Sequence, residues 1–357
     1  MENNSTRYLV RLTPIDAYFF GGEVTFGDNK KQNYLVKSNY IPQQSALLGL
    51  MRYEILRQND MLFGEGKNID KNKVEKLIGA KGFDPTQPAA SHGIIKKISP
   101  VFIEKQEAFY TRMPLDADIT VSLKKELKVY YNGIAKPLPT LEGYDYKEYN
   151  NYCYWCSNNI SNKINESDIF IETERIGIQK NKTDDAFFKQ TLIRLKEGFN
   201  FAFTIDIEGV LEAKSAIVPL GGNQSRFKIE ITECNKENNL DNFDFCEYFK
   251  PLANDNRILL LGDAIIPDAT RDKIDFIWGN CIENRYIVSK VADGHSWKKP
   301  TKTNALYHLQ SRGSVIYHNK KNAESQKEGN NSFKNIDAIK QALSNESHQA
   351  IGLNIFI

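Results

Sequence analysis

Two spacings of apolar residues run along the chain, and the shorter dominates. Tyr8-Leu9-Val10-Arg11-Leu12 predicts a short strand, ended by Thr13-Pro14. Phe199, Phe201, Phe203, Ile205 and Ile207 alternate with Asn200, Ala202, Thr204 and Asp206, the period-two pattern of a half-buried strand. Phe227, Ile229 and Ile231 repeat it around Lys228 and Glu230, just after Gly221-Gly222. Helical spacing appears at Ala46, Leu47, Leu48, Leu50, Met51, Ile55 and Leu56, and Pro42 suits a first turn, so a helix is predicted over about 42–58. A second helix is predicted near Lys71–Ile78, and Gly93–Leu127 reads as β-rich. The aromatic, polar stretch from Pro137 to Asp168 reads as an irregular surface insertion. Further strands are expected at 257–261, 285–291, 313–317 and 351–357, a Gly/Lys/Pro-rich loop at 293–303, and a helix at 333–343. Strands with interspersed helices, and no strict βα alternation, imply an α+β fold of antiparallel sheets, built twice. The polar run Asn235–Asn242 marks the expected boundary, giving domains at 1–240 and 241–357.

Composition narrows the function classes. The 357 residues suggest about two domains, and 41% hydrophobic with 26% charged residues is the balance of a soluble globular chain. There is no apolar run of about 18 residues, and Met1–Arg7 lacks the apolar core of a signal peptide. A cytoplasmic protein without membrane contact is expected. A net charge of +2 gives no bulk attraction for nucleic acid, so any such binding must come from local clusters. The five cysteines are odd in number, and no second pair completes a zinc site with Cys153 and Cys156; packing is the simpler reading.

Known catalytic patterns are missing from the chain. Gly22 to Gly27 has P-loop spacing, but Asp28-Asn29 stands where Lys-Ser/Thr is required. Neither a zinc-protease helix motif nor a nucleophile elbow occurs. Of the histidines, His92, His295, His308, His318 and His348, the best acid–base candidate is His308, close to Arg312-Gly313. No catalytic residue, metal site or cofactor is assigned.

Glycine-plus-basic segments do recur. Gly221, Gly222, Asn223, Gln224, Ser225 and Arg226 form the first: paired glycines let backbone N–H groups approach a phosphate, although a tight hairpin turn explains them equally. Trp297, Lys298 and Lys299 combine a stacking surface with phosphate charge. Arg312-Gly313 and Arg175 with Gly177 complete the set. Together they favour binding of an extended anionic polymer.

These segments, in this order, resemble the RAMP superfamily of CRISPR proteins, and within it the third subunit of the type III-B (Cmr) effector complex. The matching pieces are Leu12-Thr13-Pro14, the helix start from Ile41 through Arg52, Glu174 through Ile178, Leu220 through Arg226, Trp297 through Pro300, and Arg312 through Tyr317. The resemblance implies two ferredoxin-like, RRM-like domains with antiparallel sheets and insertions. It implies a non-catalytic subunit in antiviral defence that holds the crRNA 5′ handle. The implied partners are the large polymerase/cyclase-like subunit and the first backbone subunit, with target RNA engaged indirectly. Arg175, Arg226 and Arg312 would then meet phosphates, Gly221, Gly222 and Gly313 would allow close approach, and Trp297, Lys298 and Lys299 would stack or supply charge. The segment Phe20 through Gly27 departs from the family's Arg-Asp and Pro-Phe element, so no RNA contact carries over there. The alternative within the same superfamily is an endoribonuclease that processes precursor crRNA, with His308 or His92 activating a ribose 2′-hydroxyl.

Overall fold

The strand read at the N-terminus becomes the spine of a sheet. In this computed structural model, β1 (Ser5–Pro14) is sandwiched between two antiparallel strands. The structure describes residues 5–22, 35–62, 69–85, 91–131, 133–145, 153–157, 159–178, 187–212, 214–222, 225–253, 257–291, 297–303, 305–318 and 338–357. These fall into two compact units: one of residues 1–109, 166–243 and 283–307, the other of 110–165, 244–282 and 308–357. The expected single boundary at 240 lies near one of the junctions, but each unit draws on three separate stretches of chain.

In the first unit, β2 (Leu35–Lys37) precedes α1 (Gln44–Gln58) and α2 (Lys71–Ile78). Then come β3 (Ile95–Ile98), β4 (Phe102–Lys105), β5 (Phe170–Ile178), β6 (Phe187–Leu195) and β7 (Asn200–Glu208). The unit closes with β8 (Ser215–Pro219), β9 (Arg226–Glu233), β10 (Ile287–Val291) and β11 (Trp297–Lys302). The main sheet runs β8-β9-β1-β7, and β7 pairs on its far side with β3 and β4. The chain between β7 and β9 forms β8, in place of the second helix of a β-α-β-β-α-β unit.

The alternation in β7 predicted one buried face. Its inner position buries both: Phe201, Ala202, Phe203, Thr204 and Ile205 are all buried. Val10 sits opposite Phe203 and Ile231, and Leu12 opposite Phe201 and Ile229. Tyr18, Phe20, Phe201 and Phe227 form an aromatic cluster with centroid separations from 4.6 Å for Tyr18–Phe20 to 6.4 Å for Phe201–Phe227. Each such ring contributes about 2–3 kcal/mol by leaving water.

Helix α1 begins two residues beyond Pro42 and buries Leu47, Leu48, Leu50, Met51, Ile55 and Leu56. Gln44 anchors it: its Nε2 donates to the Ser99 carbonyl at 2.8 Å, and its Oε1 accepts from the Val101 N–H at 3.3 Å. The expected second helix is present as α2, N-capped by Asp70, whose carboxylate accepts from the Asn72 N–H. Its end meets the buried Arg52 of α1, whose Nε donates to the Ile78 carbonyl at 3.0 Å.

A smaller sheet runs β5-β6-β2, with β5 and β6 antiparallel and β2 parallel to β6. Part of the expected loop at 293–303 is the strand β11, paired antiparallel with β10.

The second unit contains a long hairpin, Thr120–Tyr131 with Ile134–Glu142, and a short one, Cys153–Cys156 with Asn159–Asn165. Much of the predicted irregular insertion is therefore strand. Tyr154 and both cysteines of the pair are buried, and the cysteines are free. Tyr144 packs edge-on against Trp278 at 5.4 Å; Tyr146, Tyr149 and Tyr152 lie outside the described residues. Val315–Tyr317 is the middle strand between Arg257–Leu259 and Phe276–Trp278. Ile258, Leu260, Ile274 and Ile316 pack there against Ile339 and Leu343 of a helix over 338–343. The expected closing strand at 351–357 reduces to a single bridge between Leu260 and Phe356. The α+β class with mainly antiparallel sheets is observed.

Candidate nucleic-acid interface

Beyond β1, residues 15–20 are stitched between the main sheet and the β5-β6-β2 sheet. The Ile15 N–H donates to the Arg226 carbonyl at 3.0 Å, which ties this segment to β9. Tyr18 and Ile193 exchange backbone hydrogen bonds of 2.8 and 3.0 Å, which tie it to β6. The glycine loop closes against its next residue: the Gly222 N–H donates to the Phe19 carbonyl at 2.7 Å. Ser225 locks the turn, its hydroxyl donating to the Gly222 carbonyl at 2.8 Å and accepting from the Phe19 N–H at 3.2 Å.

The glycines answer the question left open by the sequence. Gly221 has φ of +86°. A Cβ there would lie 2.5 Å from the Phe19 carbonyl oxygen and 2.9 Å from a Phe20 ring carbon. Its lack of a side chain serves the approach of the 19–20 backbone, and the turn geometry accounts for it. Asn223 and Gln224 lie outside the described residues.

Next to this turn is an open pocket of about 240 Å³, lined by Ile15, Asp16, Ala17, Arg175, Leu192, Ser225 and Arg226. The fold thus brings Arg175 of β5 and Arg226 of β9 to one place. Both are exposed, and neither has an acidic partner among the described residues. Strand alternation keeps Arg175 apart from the carboxylates beside it in sequence. Glu172 and Glu174 point to the other face of β5, where Lys37 and Lys189 pair with them at 2.6 Å each. Glu172 is held below the usual carboxylate range by hydrogen bonds from Lys37 and then Tyr40, against a smaller opposing effect of burial. One face of β5 is thereby neutralised, while the other keeps its positive charge.

Neither Arg312 nor Gly313 is among the described residues that line this pocket. The backbones of Trp297 and Lys298 pair with Val291 and Lys290, and Lys299 lies on the same strand; their side chains lie outside the described residues. Arg312 is buried in the second unit, where its N–H donates to Asp263 at 2.9 Å and its guanidinium pairs with the same carboxylate at 3.3 Å. Gly313 has φ of +81°, and a Cβ there would sit 2.9 Å from Arg112 Cγ and 3.0 Å from the Met113 carbonyl oxygen. Both residues make close contacts inside the second unit. Of the histidine candidates, His308 is exposed. His92 is buried, and desolvation, then the charge of Arg52, pushes its pKa down to about 4.

Sequence reading missed Ile15, Asp16, Ala17, Leu192 and Arg194. Arg194 lies 3.9 Å from Asp16, a long and exposed contact. The signal was faint: Arg194 stands between Ile193 and Leu195 in a strand whose start follows residues without periodicity.

A family model described as CRISPR-associated protein (Cas_Cmr3) matches residues 10–342. No curated protein matches the chain. Among solved structures, a chain in the cryo-EM structure of the type III-B Cmr-beta bound to cognate target RNA and AMPPnP is 14% identical, with a TM-score of 0.47, over 98% of this chain and 96% of that one. A chain of the type III-B Cmr-beta bound to cognate target RNA gives 14% and 0.48 over the same shares. A chain from the crystal structure of the Csm3-Csm4 subcomplex in the type III-A CRISPR-Cas interference complex gives 13% and 0.36, over 87% of this chain and 92% of that one.

Proposed function

Since the chain belongs to the Cas_Cmr3 family of CRISPR-associated proteins, we propose that it is a non-catalytic RNA-binding subunit of a type III-B RNA-guided effector complex. It grips the 5′ handle of the crRNA, next to the large cyclase-type subunit and the first backbone subunit, and meets target RNA only through that assembly. The observation that carries the RNA-binding part is the convergence of Arg175 and Arg226 on one pocket, both exposed and without an acidic partner among the described residues. Two guanidinium groups at the mouth of a pocket offer fork-shaped donors to successive phosphates. The near-zero net charge of the chain fits a subunit that shares the polyanion with partners. No His, Tyr or Lys, the groups that would activate a ribose 2′-hydroxyl, occurs among the described lining residues.

The test is retention of crRNA by complexes carrying Arg226→Ala or Arg175→Ala. Each variant is expected to hold handle RNA less tightly, and the slope of log affinity against log salt should fall by about 0.7 per lost phosphate contact. Unchanged retention and unchanged slope in both variants would sink the assignment.

A further inference from the structure

The pocket holds one group that a phosphate clamp does not need. Asp16 lines it alongside Arg175 and Arg226. A carboxylate there repels a polyanion, so its presence calls for another account. Partnering does not supply one. Its contact with Arg194 is 3.9 Å long, with the two side chains 84% and 56% exposed, a pair too loose and too wet to hold the charge in place. One carboxylate oxygen caps its own turn by accepting from the Ala17 N–H at 2.7 Å. A carboxylate has further lone pairs, so acceptor capacity remains.

Apart from Ser225, whose hydroxyl is engaged by Gly222 and Phe19, the other walls are apolar: Ile15 and Ala17 flank Asp16 in sequence, and Leu192 lines the pocket from β6. About 240 Å³ is below the range typical of pockets for larger cofactors and drug-sized ligands, and suits a single splayed nucleotide. Apolar walls accept the face of a base, the arginines its flanking phosphates, and an acceptor-only carboxylate the donor edge of that base. Among the RNA bases only guanine places two N–H donors side by side, at N1 and N2, to meet both oxygens of a carboxylate. Adenine and cytosine offer a single amino group, and the one N–H of uracil lies between two carbonyls that the carboxylate repels.

We propose that this pocket reads one unpaired guanine of the bound RNA, with Asp16 as the specificity-determining residue. The inference rests on the RNA-binding reading of the same pocket. It also explains why acidic and basic side chains share one lining: the arginines hold any RNA, and Asp16 makes the hold depend on the base.

The experiment measures binding of the full-length chain to labelled pentauridine and to the same RNA with guanosine, inosine, adenosine or cytidine at its centre. The guanosine probe is expected to bind about tenfold more tightly than pentauridine, with inosine, which lacks the N2 amino group, in between. Asp16→Asn should bring the five probes to within about twofold of one another while keeping pentauridine binding at least as tight as in the wild type. Equal wild-type affinities, or a guanosine preference that survives Asp16→Asn, overturn the inference and leave the RNA-binding reading standing. Failure of the wild type to bind any of the five overturns the inference, and crRNA retention by complexes carrying Arg175→Ala or Arg226→Ala then decides the RNA-binding reading separately.

Discussion

At Gly221 a single hydrogen atom decides whether the turn can close. With φ of +86° and a Cβ position 2.5 Å from the Phe19 carbonyl, Gly221→Ala is expected to destabilise the protein by about 2 kcal/mol or more. Gly133 is the control: it has φ of +77°, but open space where a Cβ would go, so Gly133→Ala should cost about 1 kcal/mol. Denaturant midpoints of the two variants measure the difference, and equal losses would contradict the close-approach account. Residue-scale reasoning from sequence went furthest here, since paired glycines announce a special backbone. It went least far at Arg312, because exposure cannot be read from a single arginine. Next to a glycine it looked like a phosphate ligand, yet burial against Asp263 gives it a partner inside the protein. Asp263→Ala, which leaves that guanidinium without this carboxylate, should cost about 3 kcal/mol in chemical denaturation.

At the level of elements, the junction of α1, α2 and the start of β3 is polar at its heart. Arg52 lies inside it, its pKa lowered to about 10 by burial, and His92 is buried nearby with its Nδ1 lacking a hydrogen-bond partner among the described residues. The His92 pKa of about 4 lies below the ordinary 6.5, so between those values the unfolded chain binds more protons than the folded one. Stability should therefore be complete above pH 6.5 and decline as pH falls to about 4, by on the order of 3 kcal/mol from this group. Buried His348 adds to the decline with the same sign. Thermal midpoints of His92→Gln should fall less steeply over that window; an unchanged slope would place the acid sensitivity elsewhere. The helices themselves were legible because apolar spacing, Pro42 and Asp70 are local signals. Among the strands, β7 and β9 were legible from alternation, and β1 from its short apolar run ended by Thr13-Pro14. The run Ile134–Glu142 was not, since two prolines and a lysine interrupt its pattern and pairing with Thr120–Tyr131 supplies its order instead.

For the molecule as a whole, α+β character followed from the mixture of periods, but its division into units did not. A polar run at 235–242 looks like a linker from within the chain, whereas a unit is defined by contacts between distant stretches. Asp116 illustrates this: it receives the hydrogen bonds of Arg257 and Tyr317, which lie far along the sequence but in the same unit. A fragment of residues 241–357 therefore lacks part of its own core, and is expected to give no cooperative thermal transition and a poorly dispersed amide spectrum. A sharp transition in that fragment would overturn the interleaved description. The interleaving also sets a timetable for synthesis. The chain's first residues belong to a unit whose last segment ends at residue 307. On the ribosome, where domains ordinarily fold in the order they emerge, β1 and its sheet must wait for most of the polypeptide before their unit is complete. Nascent chains of this protein should accordingly depend on chaperones until translation is nearly finished.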